Sequence, residues 1–218
     1  MRLAARCALA VGLTAAAASP AWAHGSSVRL GSFFGGVIHP LLEPAHLVAL
    51  LALGLLIGQR GEDAMRRLLA PLAAALASGL VLAALWPPVQ TWPTPVALLV
   101  AAALAGAVVA ADWMLPRSLP WLATLTVGLG IGLGSPAEGT TTLSRFVMAA
   151  GIALGVCAWV TLVATGVAAL QRPAARLLVR VTGSWLLACA MLVLALSVFR
   201  PAAPPSPRTA DAVAPGRR

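Results

Sequence analysis

The chain has 218 residues, of which 60% are hydrophobic and only 10% charged, with a mean hydropathy of +0.93; that balance excludes an ordinary soluble domain and reads as a membrane protein. The formal charge of +9 comes entirely from arginine, and the arginines stand at the edges of apolar runs instead of forming one basic face. This distribution speaks for membrane topology and against nucleic acid as a partner.

Taken in chain order, the first element is a leader. Arg2 and Arg6 precede an apolar stretch from Ala8 to Ala18, and Ala21-Trp22-Ala23 forms a small-x-small cleavage signal. The pattern predicts a signal peptide over residues 1–23, cut after Ala23; the alternative, an uncleaved anchor, has to work with an apolar core that is short for a bilayer. Cleavage there makes His24 the first mature residue. A free α-amine beside an imidazole is a bidentate chelate for copper or nickel at the outer face, and the plain alternative is an unstructured first residue.

Apolar runs of roughly twenty residues between polar or proline-rich breaks then predict an all-α, polytopic membrane protein with six spanning helices. The runs cover residues 33–58, 68–86, 95–115, 119–135, 143–170 and 178–199, within a transmembrane domain of residues 24–200. The first run holds His39, Glu43 and His46, and an ionisable residue at that depth is a functional hypothesis by default. On a regular helix, offsets of four and seven put all three on one polar face, with the histidines roughly 10 Å apart along the axis, too far to share one metal directly. Imidazole with carboxylate suits nickel, cobalt or zinc, and softness alone does not separate them. Pro40 and Pro44 each remove a backbone donor and disfavour helix for the preceding residue, so a kink or a fresh start is expected here. Broken segments of that kind build midplane binding sites in transporters. Packing histidines with a protonated Glu43 are the bland alternative.

Trp86 and Trp92 bracket the second break, and Trp113 and Trp121 the third, where an interfacial belt wants them. Asp112, ahead of Arg117, reads as half of an interfacial ion pair. The fourth run is short and carries Gly128, Gly130, Gly132 and Gly134, so a tilted, broken or partly re-entrant segment is expected; it lacks the spacing and the strand of a nucleotide-binding loop. Glu138 and Arg145 flank the outer end of the fifth run, with Glu138 an acidic candidate at the outer mouth. Gly151 and Gly155 form a small-xxx-small pair, read first as packing within the chain and second as a homodimer contact. Cys157 and Cys189 have no CxxC partner and read as small buried packing residues.

Arg60, Arg66, Arg67, Arg117, Arg172, Arg176 and Arg180 fall in alternate breaks, while WPPVQTWP and SPAEGTT carry no arginine. The positive-inside rule turns the arginine-bearing breaks to the cytoplasm and both mature termini to the periplasm, as a cleaved leader also requires. Residues 201–218, rich in proline and alanine without apolar periodicity, are expected to be a disordered periplasmic tail.

With those residues in view, GGVIHPLLEPAHLVALLALGLLIG resembles the first helix of the HupE/UreJ family, membrane accessory proteins of hydrogenase and urease systems regarded as nickel or cobalt permeases. The family pattern is close to HPLxGxDHLLAMxxVG. His39-Pro40-Leu41, His46-Leu47, Ala49, Leu50 and Gly54 match it, and the leader, length and six-span layout fit over the whole chain. Glu43 and Ala45 stand where the family has Gly and Asp, and of a histidine-rich motif near the fourth helix LGIGLGSPAEG keeps only Glu138, which marks a divergent member. The resemblance implies a bacterial inner-membrane protein that handles nickel or cobalt as a transient substrate. Its ligands would be His39, Glu43 and His46, with His24 and Glu138 at the outer mouth; no tightly bound cofactor is implied, and metalloenzyme maturation proteins are the expected partners beside lipid. A non-transporting scaffold that lost part of the site is the second reading. An enzyme is third, because no nucleophile and base pair is evident.

Overall fold

The computed structural model describes residues 31–86, 94–113, 116, 118–135, 141–170 and 173–198. The predicted leader, His24, Trp92, Arg117, Glu138 and the C-terminal tail lie outside the described residues. Among the described residues there are seven helices: α1 (Gly31–Leu42), α2 (Pro44–Gln59), α3 (Glu62–Leu85), α4 (Thr94–Ala111), α5 (Ser118–Gly134), α6 (Thr142–Ala168) and α7 (Pro173–Val198).

Their starts follow local chemistry. Proline opens α2 and α7 and lies in the first turn of α4 and α5, where its missing N–H has no helical partner to lose. Thr141 caps α6 by a reciprocal pair of bonds: its Oγ1 accepts from the Ser144 N–H at 3.1 Å, and the Ser144 Oγ accepts from the Thr141 N–H at 3.2 Å. The sharp turn from α2 into α3 uses Gly61 at φ 85°, a conformation that a side chain would strain.

Helices α3, α4, α6 and α7 are each long and apolar enough to cross a membrane, and α1 with α2 makes a fifth candidate if the pair is counted as one broken span. This is a multi-pass membrane protein. Helix α5, with 17 residues, is apolar and shorter, roughly 25 Å from end to end. Large apolar side chains such as Leu104, Phe146, Leu162, Trp185 and Leu192 face outward, as in a protein whose solvent is lipid. Trp86, Trp113 and Trp121 are exposed at helix ends, in keeping with anchoring.

The first predicted span is not one straight helix: α1 and α2 meet at an angle of 79°. Its cause is local. Pro44 disfavours helical backbone at the residue before it, and Glu43 stands at φ −90°, ψ 116°, extended, while its carbonyl accepts the first α2 bond from the Leu47 N–H at 2.9 Å. Beyond this corner α2 runs through the middle of the bundle, touching α4, α5, α6 and α7, and Ala49, Leu50, Leu53, Leu56 and Ile57 on it are buried. Burial of α2 all round explains why its apolar pattern has no face.

The glycine run does not break α5, contrary to the expectation from its composition; it is a helix with two glycine seams. A Cβ on Gly128 or Gly132 would strike the Leu72 or Leu76 carbonyl of α3, and one on Gly130 would meet the Leu98 side chain of α4 at 2.8 Å. Steps of two residues turn a helix by roughly 200°, so alternate glycines serve opposite neighbours. Gly151 and Gly155 pack against the backbone of Phe33 and Val37, so the pair serves packing within the chain. Cys157 is half-buried and Cys189 exposed, so neither is the buried packing residue expected; each sits on an outward part of its helix, where lipid accepts a small apolar thiol.

Gly58 to Gly61, Asp112, Val167, Ala168, Leu170 and Arg176 line one cavity of about 350 Å³, which brings three of the arginine-side breaks to the same end of the bundle. Helix α4 stops there at Ala111, short of residue 115, by a left-handed turn at Asp112 (φ 53°) with the Trp113 N–H on the Val108 carbonyl. Gln59 Nε2 donates to the Val109 carbonyl at 3.1 Å and Arg180 Nε to the Ala110 carbonyl at 2.9 Å, satisfying carbonyls that a helix end leaves open.

Candidate metal site

At the opposite end of the bundle, the corner between α1 and α2 carries the two histidines among the described residues. His39 lies in the last turn of α1 and is half-buried; His46 lies in the first turn of α2 and is 3% exposed. Their ring centroids are 6.3 Å apart, at an interplanar angle of 61°. A straight helix would hold them roughly 10 Å apart along its axis; the corner closes that gap. Two imidazoles that share one ion place their ring centres at most about 6.5 Å apart, since each nitrogen stands about 2.1 Å from the metal. The observed separation falls inside that limit.

Glu43 does not share their face. It forms the corner itself, its side chain is exposed, and it makes no capping hydrogen bond to α2. The single polar stripe read from offsets of four and seven fails because Glu43 is not helical. Ala45, where the family pattern has an acid, is 3% exposed and packs into the core. Among the described residues, no three His, Cys, Asp or Glu side chains come together as a metal-holding group.

Gly134, the last of the glycine run, lies against His46, with Thr94 close to the same point and Ser135 next in the chain. A Cβ on Gly134 would stand 2.8 Å from His46 Nε2 and 3.9 Å from Thr94 Cγ2, so the absence of a side chain there makes room for the imidazole. Thr94 is 7% exposed and Ser135 fully buried. Both His46 Nδ1 and Ser135 Oγ are buried with no hydrogen-bond partner among the described residues. In sequence these are the start of α4 and the end of the glycine run, and only their position at the same end of the bundle as His46 unites them.

The site thus combines two nitrogen donors from either side of a helix break with the C-terminal ends of α1 and α5, whose carbonyl dipoles favour positive charge. Neutral imidazole is a ligand for borderline divalent metals, and two donors make a weak site from which an ion can leave. No curated protein and no solved structure matches the chain. Residues 11–194, which include every described helix but the last residues of α7, match the family described as HupE / UreJ protein, and the chain belongs to that family.

Proposed function

We propose that the protein carries a divalent transition-metal ion, nickel first and cobalt second, as a substrate between periplasm and cytoplasm in support of hydrogenase or urease maturation. The supporting observation is the His39–His46 pair, with ring centroids 6.3 Å apart across a helix break inside an apolar bundle. Family membership supports a nickel or cobalt role.

In this reading the chain crosses the bacterial inner membrane six times, with α5 and the broken α1–α2 pair as full crossings. The arginine-lined cavity faces the cytoplasm and the histidine pair the periplasm, beneath His24 and Glu138. The protein is a carrier, not an enzyme. His39 and His46 present imidazole nitrogens to an arriving ion, the corner at Glu43 holds them on separate helices, and the packed α2 behind them separates the two faces. Protons compete for the same lone pairs, so metal affinity falls as pH drops through the imidazole range.

Nickel accumulation in expressing cells tests the proposal. Wild type exceeds the empty vector, His39→Ala and His46→Ala fall to the vector level, and Glu43→Gln keeps wild-type accumulation because its carboxylate lies outside the pair. Equal accumulation by wild type and vector, with the protein present in the membrane, would sink the carrier reading. One observation favours a non-transporting scaffold instead: Ala45 and the exposed Glu43 leave the pair without an acidic ligand among the described residues.

A further inference from the structure

At the end of the bundle away from the histidines, the cavity of about 350 Å³ has a lining that helix packing does not explain. Arg60, Arg176, Asp112 and Gln59 share its wall with the apolar Leu170 and Val179. A volume of that size lies within the ~300–1,000 Å³ range of sites that hold a small molecule or a head group.

The helix ends do not call for both arginines. Carbonyls in the last turns of α2, α4 and α6 already have donors: Ile57 the Arg60 N–H at 2.9 Å, Val109 the Gln59 side chain at 3.1 Å, Ala110 the Arg180 side chain at 2.9 Å and Val167 the Leu170 N–H at 3.0 Å. Arg176 stands in the first turn of α7, at the positive end of the helix dipole, and that turn carries no acid. A cation gains from such a position only when an anion joins it. Arg60 enters the same cavity as the C-cap of α2 and is half-buried. Two guanidiniums against the one carboxylate of Asp112 leave a single positive charge in excess, which fits a ligand of one negative charge. Guanidinium forks match the paired oxygens of a phosphate.

The rim says where that phosphate comes from. Leu170 is exposed at the cavity, Leu177 and Leu178 follow Arg176 on α7 and are exposed, and Trp113, next to Asp112, is exposed as an interfacial anchor would be. A free ion would leave these side chains uncovered, whereas a lipid brings acyl chains to the same level of the bundle. Basic pockets between membrane helices are where anionic head groups bind.

We infer that this cavity is a lipid site, in which Arg60 and Arg176 hold the phosphate of one anionic phospholipid whose acyl chains cover the exposed leucines. The lipid balances the excess charge and ties the end of α2 to the start of α7. The site does not depend on the metal reading.

The test uses purified full-length protein in detergent and native mass spectrometry, with phosphatidylglycerol as the probe and phosphatidylcholine of the same acyl chains as the uncharged comparison. Wild type is expected to retain phosphatidylglycerol and not phosphatidylcholine, and equimolar inorganic phosphate is expected to leave the lipid in place. Arg60→Gln and Arg176→Gln should each weaken phosphatidylglycerol binding roughly fivefold, the scale for one basic side chain at an anionic head group. Arg67→Gln removes an exposed arginine from the same end but not from the cavity, and should bind as wild type does. Thermal unfolding in lipid-free detergent checks that the variants fold; Arg176 is exposed, so its variant serves if Arg60→Gln does not fold. Equal retention of the two lipids, or weakening by Arg67→Gln as great as by Arg176→Gln, would overturn the inference by showing only a diffuse basic surface. Complete displacement by equimolar phosphate would overturn it in favour of a soluble anion.

Discussion

Gly134 is the residue on which the position of His46 most directly depends. Its missing side chain leaves the space that Nε2 occupies, at 2.8 Å from where a Cβ would stand, so the group that must move to admit a methyl is the imidazole itself. Gly134→Ala is therefore expected to push the imidazole off its site and to lower nickel accumulation to the level of His46→Ala at equal protein abundance. Gly166, with nothing within 4 Å of its would-be Cβ, supplies the control: Gly166→Ala should accumulate nickel as wild type does. His39 and His46 were legible in the sequence because an imidazole inside an apolar run has few innocent explanations. Thr94 was not, since a hydroxyl beside a proline-rich break is ordinary and only the fold carries it to His46. Glu43 was misplaced for a related reason: helical periodicity was applied across Pro44, which disfavours helix at the very residue being counted.

Among the elements, α3 and α5 make the most intimate pair, and glycine is what lets them. Gly79 and Gly132 face one another across the seam, each closing on the other helix's backbone. Close backbone approach of this kind replaces the hydrophobic effect as the driving force between helices in lipid. Gly132→Val should consequently force the helices apart and destabilise the protein by about 1–3 kcal/mol, the range for overpacking a filled interior. Thermal unfolding in detergent checks this, against Gly166→Ala as an open-space control. The same glycines misled the sequence reading of α5, because residue counts register a low helix propensity but not which neighbours occupy the vacated space. Propensity is a weak prior once tertiary packing decides. The corner at α1–α2 was half legible: Pro40 and Pro44 announced irregularity, but the 79° angle, and with it the meeting of the histidines, depends on how α1 seats on α6 through Gly36, Gly151 and Gly155.

At the scale of the whole molecule, the two ends of the bundle differ in chemistry. One holds Arg60, Arg176 and Asp112 around a cavity of about 350 Å³, and the other the histidine corner. This polarity matches the arginine asymmetry between breaks, from which the proposed orientation is read. With Cys157 and Cys189 replaced by serine, a membrane-impermeant thiol reagent applied from the periplasm should label Thr141→Cys and leave Gly61→Cys unlabelled until the membrane is opened. The reverse pattern would invert the protein. The apolar runs were legible from hydropathy alone, and helices cover the described part of each apart from Glu43 and a few residues at the run ends; the interior role of α2 was not legible, because a helix buried on every side and one facing lipid share the same composition.

The burial of α2 has one last consequence. Leu50, Leu53, Leu56 and Ile57 are at most 2% exposed, so the interval between the histidine corner and the arginine cavity is filled hydrocarbon. A bare ion in such a medium meets a dielectric barrier far above thermal energy. In this conformation the bundle is an electrical insulator: a cell can keep many copies in its energised membrane without short-circuiting the potential that drives its other work.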